Sequence, residues 1–387
     1  MAKLVNRSKP RILIVLNTTW NIANFRSGLI RALMNAGYEV VAAAPPDDHV
    51  NRVKALGCRY ISLPMDNKGT HPGRDFLLLC RIFFLLLRER PQVLLGYTVK
   101  PNVYGSLAAH ALGVPVVNNI AGLGAVFITD SWITRLVRGL YKVALSRSAK
   151  VFFQNEDDRR LFVEGDLVDF TKTDLVPGSG INLRRFAPAP LLTSRRPVRF
   201  LLIARMLWDK GVGEFVEAAR MIKRRGANAD FCLLGFLDVQ NPAAVMREEM
   251  QAWVDEGVVK YLGATDDVRQ YIAEADCVVL PSYREGTPRS LLEAAAMARP
   301  IITTDAVGCR EVVDDGVNGF LCRTRDSADL AEKIQRMIAL PPDARAAMGR
   351  KGREKVERQF DENIVLSKYL ATIAEIVGQP FQASSRA

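Results

Sequence analysis

The sequence predicts an α/β protein of two doubly wound domains whose ligand-binding ends face a common cleft. Three observations carry this. Short apolar runs alternate with amphipathic helical patterns along almost the whole chain, the rhythm of parallel strands covered by crossover helices. The rhythm runs twice, on either side of a break with three prolines and no periodicity, Phe186-Ala187-Pro188-Ala189-Pro190 to Arg196-Pro197. The length, 387 residues with 49% hydrophobic, suits two cores of ordinary size.

In the first half the strands are expected at residues 11–16, 38–44, 60–63, 93–97, 114–118 and 151–154. In the second half they are expected at 198–204, 231–234, 258–262, 277–281, 301–304 and 319–322. This divides the chain into Rossmann-like domains 1–187 and 197–360. A final helix near 362–378 follows a break at Gln359-Phe360-Asp361, and the tail from Gln379 is expected to fray. Ligands of such sheets bind beyond the carboxyl ends of the strands, so the candidate chemistry is expected in the loops there.

Composition narrows the classes. Mean hydropathy is +0.03 and low-complexity tracts are absent, which argues against disorder. The first apolar run, residues 12–16, is too short for a signal peptide. The longest, residues 76–87, is short for a membrane span and is broken by Arg81. Six cysteines without a Cys-x-x-Cys and three scattered histidines make a zinc site an unsupported expectation. The charge is asymmetric: residues 1–190 carry 25 Lys and Arg against 14 Asp and Glu, whereas residues 191–387 carry 28 of each. The basic half therefore expects an anionic partner. Its helical segments 74–90 and 133–150 set leucine and phenylalanine beside Arg74, Arg81, Arg88 and Arg90, and beside Arg135, Arg138, Lys142, Arg147 and Lys150. That pattern suits peripheral contact with an anionic membrane. Aromatic-interleaved basic stretches of a nucleic-acid reader are missing, so no nucleic acid is expected.

Five loops at strand ends hold the candidate chemistry. Glu285-Gly286-Thr287-Pro288-Arg289-Ser290-Leu291-Leu292-Glu293 places two carboxylates around a helix start. Thr287 is expected as the N-cap and Pro288 as the first helical residue. Such a start attracts anions. Ala204-Arg205-Met206-Leu207-Trp208-Asp209-Lys210-Gly211 offers an arginine fork and a lysine point charge, a pair suited to a diphosphate. Val176-Pro177-Gly178-Ser179-Gly180 is a ligand loop or a hinge turn. Asn118-Asn119-Ile120-Ala121-Gly122-Leu123-Gly124 is a glycine loop lacking the third glycine of a dinucleotide fingerprint. In Gly96-Tyr97-Thr98-Val99-Lys100-Pro101, Lys100 could meet an anion. Each loop taken singly also fits an ordinary solvated turn. No Asp-x-Asp occurs, so a divalent metal on a diphosphate has no obvious carboxylate pair.

On these residues the chain resembles a family 4 glycosyltransferase of the GT-B fold. The Glu285-to-Glu293 element, the stretch Pro300 to Glu311, and Asp315-Gly316-Val317-Asn318-Gly319-Phe320-Leu321 carry the likeness, which covers nearly the whole length. Within the family it is most similar to enzymes that extend undecaprenyl-diphosphate-linked sugars in bacterial surface-glycan assembly. Tyr97 to Pro101, Gly122-Leu123-Gly124 and Asn24-Phe25-Arg26 support that subgroup.

The resemblance implies a retaining transfer of a hexose or N-acetylhexosamine from a UDP-sugar to a lipid-diphosphate-linked saccharide. It implies no cofactor and no metal, and a site on the cytoplasmic face of the plasma membrane. Arg205 and Lys210 would bind the donor diphosphate and Glu285 the donor sugar. Glu293 would hold the ribose, with Gly286, Thr287, Pro288 and Leu291 around the nucleotide. Lys100, Asn119, Gly122, Gly124 and Arg26 would face the acceptor. The last helix would cross back to the N-terminal domain. Two features depart from the family: Asn17-Thr18-Thr19-Trp20 replaces the usual glycines after the first strand, and no histidine stands near Asn119 and Ala121. A nucleotide-sugar epimerase or phosphorylase on the same fold, and a non-enzymatic basic binding protein, remain alternatives.

Overall fold

The computed structural model describes residues 9–66, 71–122, 132–190, 197–239 and 241–378. The chain forms two compact units, one of Met1–Ser179 with Asn363–Ala387, the other of Gly180–Glu362.

The first unit is a seven-stranded parallel sheet. Its strands are β1 (Arg11–Val15), β2 (Glu39–Ala44), β3 (Arg59–Ser62), β4 (Val93–Tyr97), β5 (Val116–Ile120), β6 (Lys150–Phe153) and β7 (Thr173–Leu175), in the order β3-β2-β1-β4-β5-β6-β7. Runs such as Arg11-Ile12-Leu13-Ile14-Val15 are apolar on both faces because helices cover both, and Ile12 to Val15 are fully buried. The order reverses between β1 and β4, where Ile14 pairs with Ala42 on one side and Leu95 on the other. That reversal opens a crevice at the carboxyl ends of β1 and β4.

The second unit repeats the plan with six strands. These are β8 (Val198–Ile203), β9 (Ala229–Leu234), β10 (Lys260–Tyr261), β11 (Cys277–Leu280), β12 (Ile301–Thr304) and β13 (Gly319–Cys322), in the order β10-β9-β8-β11-β12-β13. Its switch point lies between β8 and β11.

Each of the twelve expected strands is present. The fifth lies two residues later than its pattern implied, at Val116–Ile120. β7 was not anticipated: Thr173-Asp174-Leu175 is too short and too polar to stand out, and it exists through its pairing with Val151, Phe152 and Phe153. The division also falls at Ser179 and Gly180, earlier than residue 187. Ile181 donates its N–H to Phe360 O at 2.8 Å and accepts from Glu362 at 3.0 Å. Phe186 is buried in the second core, so the segment after Gly180 belongs to that unit.

The helix Glu362–Val377 packs on the first unit. Val365, Tyr369 and Ile373 are buried in the core with Ile14, Leu95 and Phe152. Tyr369 lies 4.8 Å from the Phe152 ring, and Asn119 Nδ2 donates to its hydroxyl at 2.9 Å.

Replacing this tyrosine should therefore separate packing from hydrogen bonding. Tyr369→Ala is expected to destabilise the first unit by about 3–5 kcal/mol. Tyr369→Phe is expected to cost about 1–2 kcal/mol, through the unpaired Asn119 amide. Urea unfolding followed by circular dichroism checks both values.

Candidate active site

The charged cluster of the second unit stands at its switch point because three loops are pressed together there. After β8 the chain makes the short turn Trp208–Lys210 and enters the next helix through Gly211, at φ 72. A Cβ on Gly211 would lie 2.1 Å from Pro281 O, so only glycine allows the loop after β11 to pass this close. Two contacts then join these loops: Tyr283 N–H donates to Asp209 O at 3.0 Å, and Ser282 Oγ donates to the same carbonyl at 3.1 Å. The loop after β12 closes from the other side. Glu285 N–H donates to Val307 O at 2.9 Å, and Gly308, at φ 83, would place a Cβ 2.3 Å from Glu285 O.

This packing brings Lys210 and Glu285 together. Lys210 Nζ is 2.6 Å from Glu285 Oε1, with side chains only 13% and 18% exposed. Sequence reasoning assigned the two to different parts of a ligand, and the structure pairs them with each other. Arg205 is exposed, and no hydrogen bond or ion pair reaches its guanidinium among the described residues.

Glu293 lies one turn into the helix Arg289–Ala296. Arg289 Nε is 3.0 Å from Glu293 Oε1, and Arg289 Nη1 donates to Gly180 O at 3.1 Å. Burial pushes the Glu293 carboxyl above the ordinary glutamate range; Arg289 and then Arg185 oppose this, and Asp267 adds to it. The helix start differs from expectation. Pro288, at φ −72 and ψ 112, is the cap, and the first helical residue is Arg289, so Thr287 lies one position outside. The extended ψ of Pro288 is the reason, and its carbonyl accepts from Leu291 N–H at 3.1 Å. Gly286, Thr287 and Pro288 form the turn between Glu285 and that helix. Leu291 has no exposed surface and belongs to the core beneath the site, so its side chain does not line it.

Several neighbours were not anticipated. Arg289 was readable, since its spacing of four from Glu293 is that of a helical ion pair. Tyr283 was not: its hydroxyl donates to Glu214 Oε1 at 2.6 Å and Arg325 lies 4.7 Å over its ring, contacts that only the fold creates. Burial pushes the nearby Cys309 thiol up to about 12, which makes it inert at neutral pH.

In the first unit the expected residues separate. Lys100 Nζ pairs with Asp75 at 2.7 Å. Asn119 has no exposed surface; its amide donates to Tyr369 and accepts from Gln154 Nε2 at 3.3 Å. It therefore ties the last helix to the sheet, which corrects the expectation that it touches an acceptor directly. Gly122 is partly exposed at φ 115. Gly124 lies outside the described residues. Arg26 is buried, with Cζ 4.1 Å from the centroid of Tyr97, the last residue of β4.

A family model described as "Glycosyl transferases group 1" matches residues 197–339, and one described as "Glycosyl transferase 4-like domain" matches residues 22–178. The chain is 30% identical over 377 residues to the N,N'-diacetylbacillosaminyl-diphospho-undecaprenol alpha-1,3-N-acetylgalactosaminyltransferase of Campylobacter jejuni, covering 92% of this chain and 96% of that protein. It is 27% identical over 288 residues to an Escherichia coli UDP-Gal:alpha-D-GlcNAc-diphosphoundecaprenol alpha-1,3-galactosyltransferase, covering 70% of each. Among solved structures, the sucrose-phosphate synthase of Thermosynechococcus elongatus aligns with a TM-score of 0.80 at 20% identity, over 96% of this chain and 100% of that one.

The raised Glu293 carboxyl sets a pH dependence. A carboxyl raised on folding contributes stability that is fully present below its unfolded value of about 4.3. That contribution is lost as pH climbs through the folded value. Arg289→Met removes the main opposing charge, so the loss above the unfolded value should become larger and reach higher pH. In a Glu293→Gln background the same substitution should leave the pH dependence unaltered. Urea midpoints measured against pH test both statements.

Proposed function

The chain is a GT-B glycosyltransferase of the group 1 family, and from that premise we propose that it moves a hexose or N-acetylhexosamine from a UDP-sugar to an undecaprenyl-diphosphate-linked saccharide. The setting would be bacterial polysaccharide or glycoprotein glycan synthesis. The observation that carries the reading is the Lys210–Glu285 pair at the switch point of the second unit, on the same loop as Arg205, whose guanidinium has no partner among the described residues. The substrates in the names of the two relatives support the donor and acceptor classes.

In this reading the donor diphosphate exchanges places with Glu285. A diphosphate brings at least two negative charges against the single charge of the carboxylate, so Lys210 gains by changing partners. Arg205 adds a planar fork on the same phosphates, and the start of the helix Arg289–Ala296 adds its dipole. No metal is required, because these groups neutralise the leaving diphosphate. Glu285, once released, accepts hydrogen bonds from hydroxyls of the donor sugar, and Glu293 accepts from the ribose hydroxyls. The bond from the anomeric carbon to the β-phosphate oxygen breaks as the acceptor hydroxyl bonds to that carbon from the same face. A donor phosphate oxygen takes the hydroxyl proton, so configuration is retained.

The first unit would rest on the inner face of the plasma membrane. Among the described residues no helix is long and apolar enough to cross a membrane. The helix Pro72–Glu89, however, exposes Phe76, Leu77, Phe84 and Leu87 beside Arg74, Arg81 and Arg88.

Three measurements test the reading. A panel of UDP-sugars against synthetic polyprenyl-diphosphate sugars, with mass and NMR detection of product, should give one preferred donor and a retained anomer. Lys210→Ala and Glu285→Ala should each lower kcat by about 10²–10³-fold. Activity of Glu285→Ala equal to wild type would remove its role, and donor turnover without acceptor would favour an epimerase or phosphorylase. Flotation with anionic liposomes should fall on Phe76→Asp with Phe84→Asp, and on charge reversal at Arg135 and Arg138. Each lost basic contact is worth about 1 kcal/mol. Unchanged flotation would end the membrane assignment.

A further inference from the structure

We infer that Arg26 is an anion-binding group at the switch point of the first unit, and that its ligand is the diphosphate of a lipid-linked acceptor. The inference rests on the proposed function for the identity of the acceptor; the anion site itself rests on the following geometry.

Three basic residues are buried among the described residues: Arg26, Arg299 and Lys355, at 6%, 5% and 6% exposure. Two are satisfied within the protein. Arg299 donates to the carbonyls of Ile272, Ala273 and Pro190 at 3.2, 2.7 and 2.7 Å. Lys355 pairs with Asp314 at 2.8 Å. Arg26 differs from both. Its Nε is shielded from solvent without a hydrogen bond, and no described carboxylate lies within ion-pair distance of the guanidinium. Its guanidinium lies against the Tyr97 ring, 4.1 Å from the centroid, and its charge also acts on Tyr369. Burial pushes the phenols of Tyr97 and Tyr369 above the ordinary tyrosine range, so neither supplies a negative charge at neutral pH. A ring face offsets only part of the cost of desolvating a cation, and proteins that retain such a charge pair it.

The position identifies the missing partner as a ligand. The helical run breaks at Arg26, which has φ −124 and ψ 0 between Thr19–Phe25 and Ser27–Asn35. The break lays the guanidinium over the end of β4, beside β1, where a doubly wound sheet binds its ligand. Tyr97 in turn stacks on Tyr369 at 6.2 Å, so the platform beneath the arginine is rigid. The other basic candidate of this region, Lys100, is already neutralised by Asp75. A planar fork, part-dehydrated and held on an aromatic platform, selects a phosphate that can accept two parallel hydrogen bonds. The group that presents such a phosphate to the first unit, in the proposed reaction, is the acceptor's diphosphate.

Binding of farnesyl diphosphate to the full chain, measured by calorimetry with UDP saturating, tests this without requiring turnover. Arg26→Gln should weaken farnesyl diphosphate tenfold or more while leaving UDP affinity and farnesol binding unchanged. Arg26→Lys, which keeps the charge and loses the fork, should recover part of the affinity, and it decides the matter if the glutamine variant does not fold. Equal affinity of wild type and either folded variant for farnesyl diphosphate overturns the inference, as does a parallel loss of UDP binding. Farnesyl diphosphate binding that depends on Arg26, without sugar transfer to any polyprenyl-diphosphate acceptor, would leave the anion site standing and remove the proposed reaction. Transfer with an acceptor KM unaffected by Arg26→Gln would do the reverse.

Discussion

The close approach of three loops at the end of the second sheet determines what the site can be. Two glycines permit it, Gly211 against Pro281 O and Gly308 against Glu285 O, at separations where no Cβ fits. The approach brings Lys210 within 2.6 Å of Glu285, a residue 75 positions away in sequence. Left on separate solvated loops, the two charges would interact weakly. Held by backbone contacts and mostly shielded, they form a pair whose geometry the fold has fixed in advance. Such preorganisation is what charge stabilisation requires, since little reorganisation is left for the moment of reaction.

Much of the architecture was legible because both sheets are buried on both faces. A strand covered twice must be apolar throughout, so each such run declares itself, and the alternation with helices dictates parallel pairing. The exceptions have physical reasons. β7 at the sheet edge needs no apolar run, because its existence rests on Phe152 and its neighbours. The unit boundary was misplaced because prolines mark a loop but not its allegiance. Ile181 and Phe186 commit the preceding stretch to the second core through contacts made with residues near 360.

The site was legible as a set of loops and illegible as a set of pairings. Glu285, Glu293, Arg205 and Lys210 could be placed at strand ends from their flanking patterns. That Lys210 would meet Glu285, or that Tyr283 would meet Glu214, depends on the distance between strands β8 and β11, which are adjacent in space and far apart in sequence. The Arg289–Glu293 pair is the opposite case. It lies within one helix, and local spacing suffices to find it. In the first unit the same limit applied to Asn119, whose polar side chain looked available and instead binds Tyr369 of the last helix, 250 residues away.

The two switch points hold their positive charge differently. In the second unit Lys210 and Arg289 are each matched to a carboxylate. In the first, Arg26 is buried without one among the described residues. A matched site costs little to keep empty, but a ligand must replace the carboxylate it displaces. In the proposed reading that requirement is itself selective. A group with a single negative charge gains nothing over Glu285, whereas a diphosphate holds Lys210 and Arg205 together and still leaves Glu285 free for the sugar. An unmatched site has the opposite character. It carries a standing desolvation cost that any well-placed phosphate relieves, so it binds without needing to break a contact first. In the proposed reading the second unit would thus reject weakly charged ligands, and the first would retain a phosphate already attached to a much larger molecule.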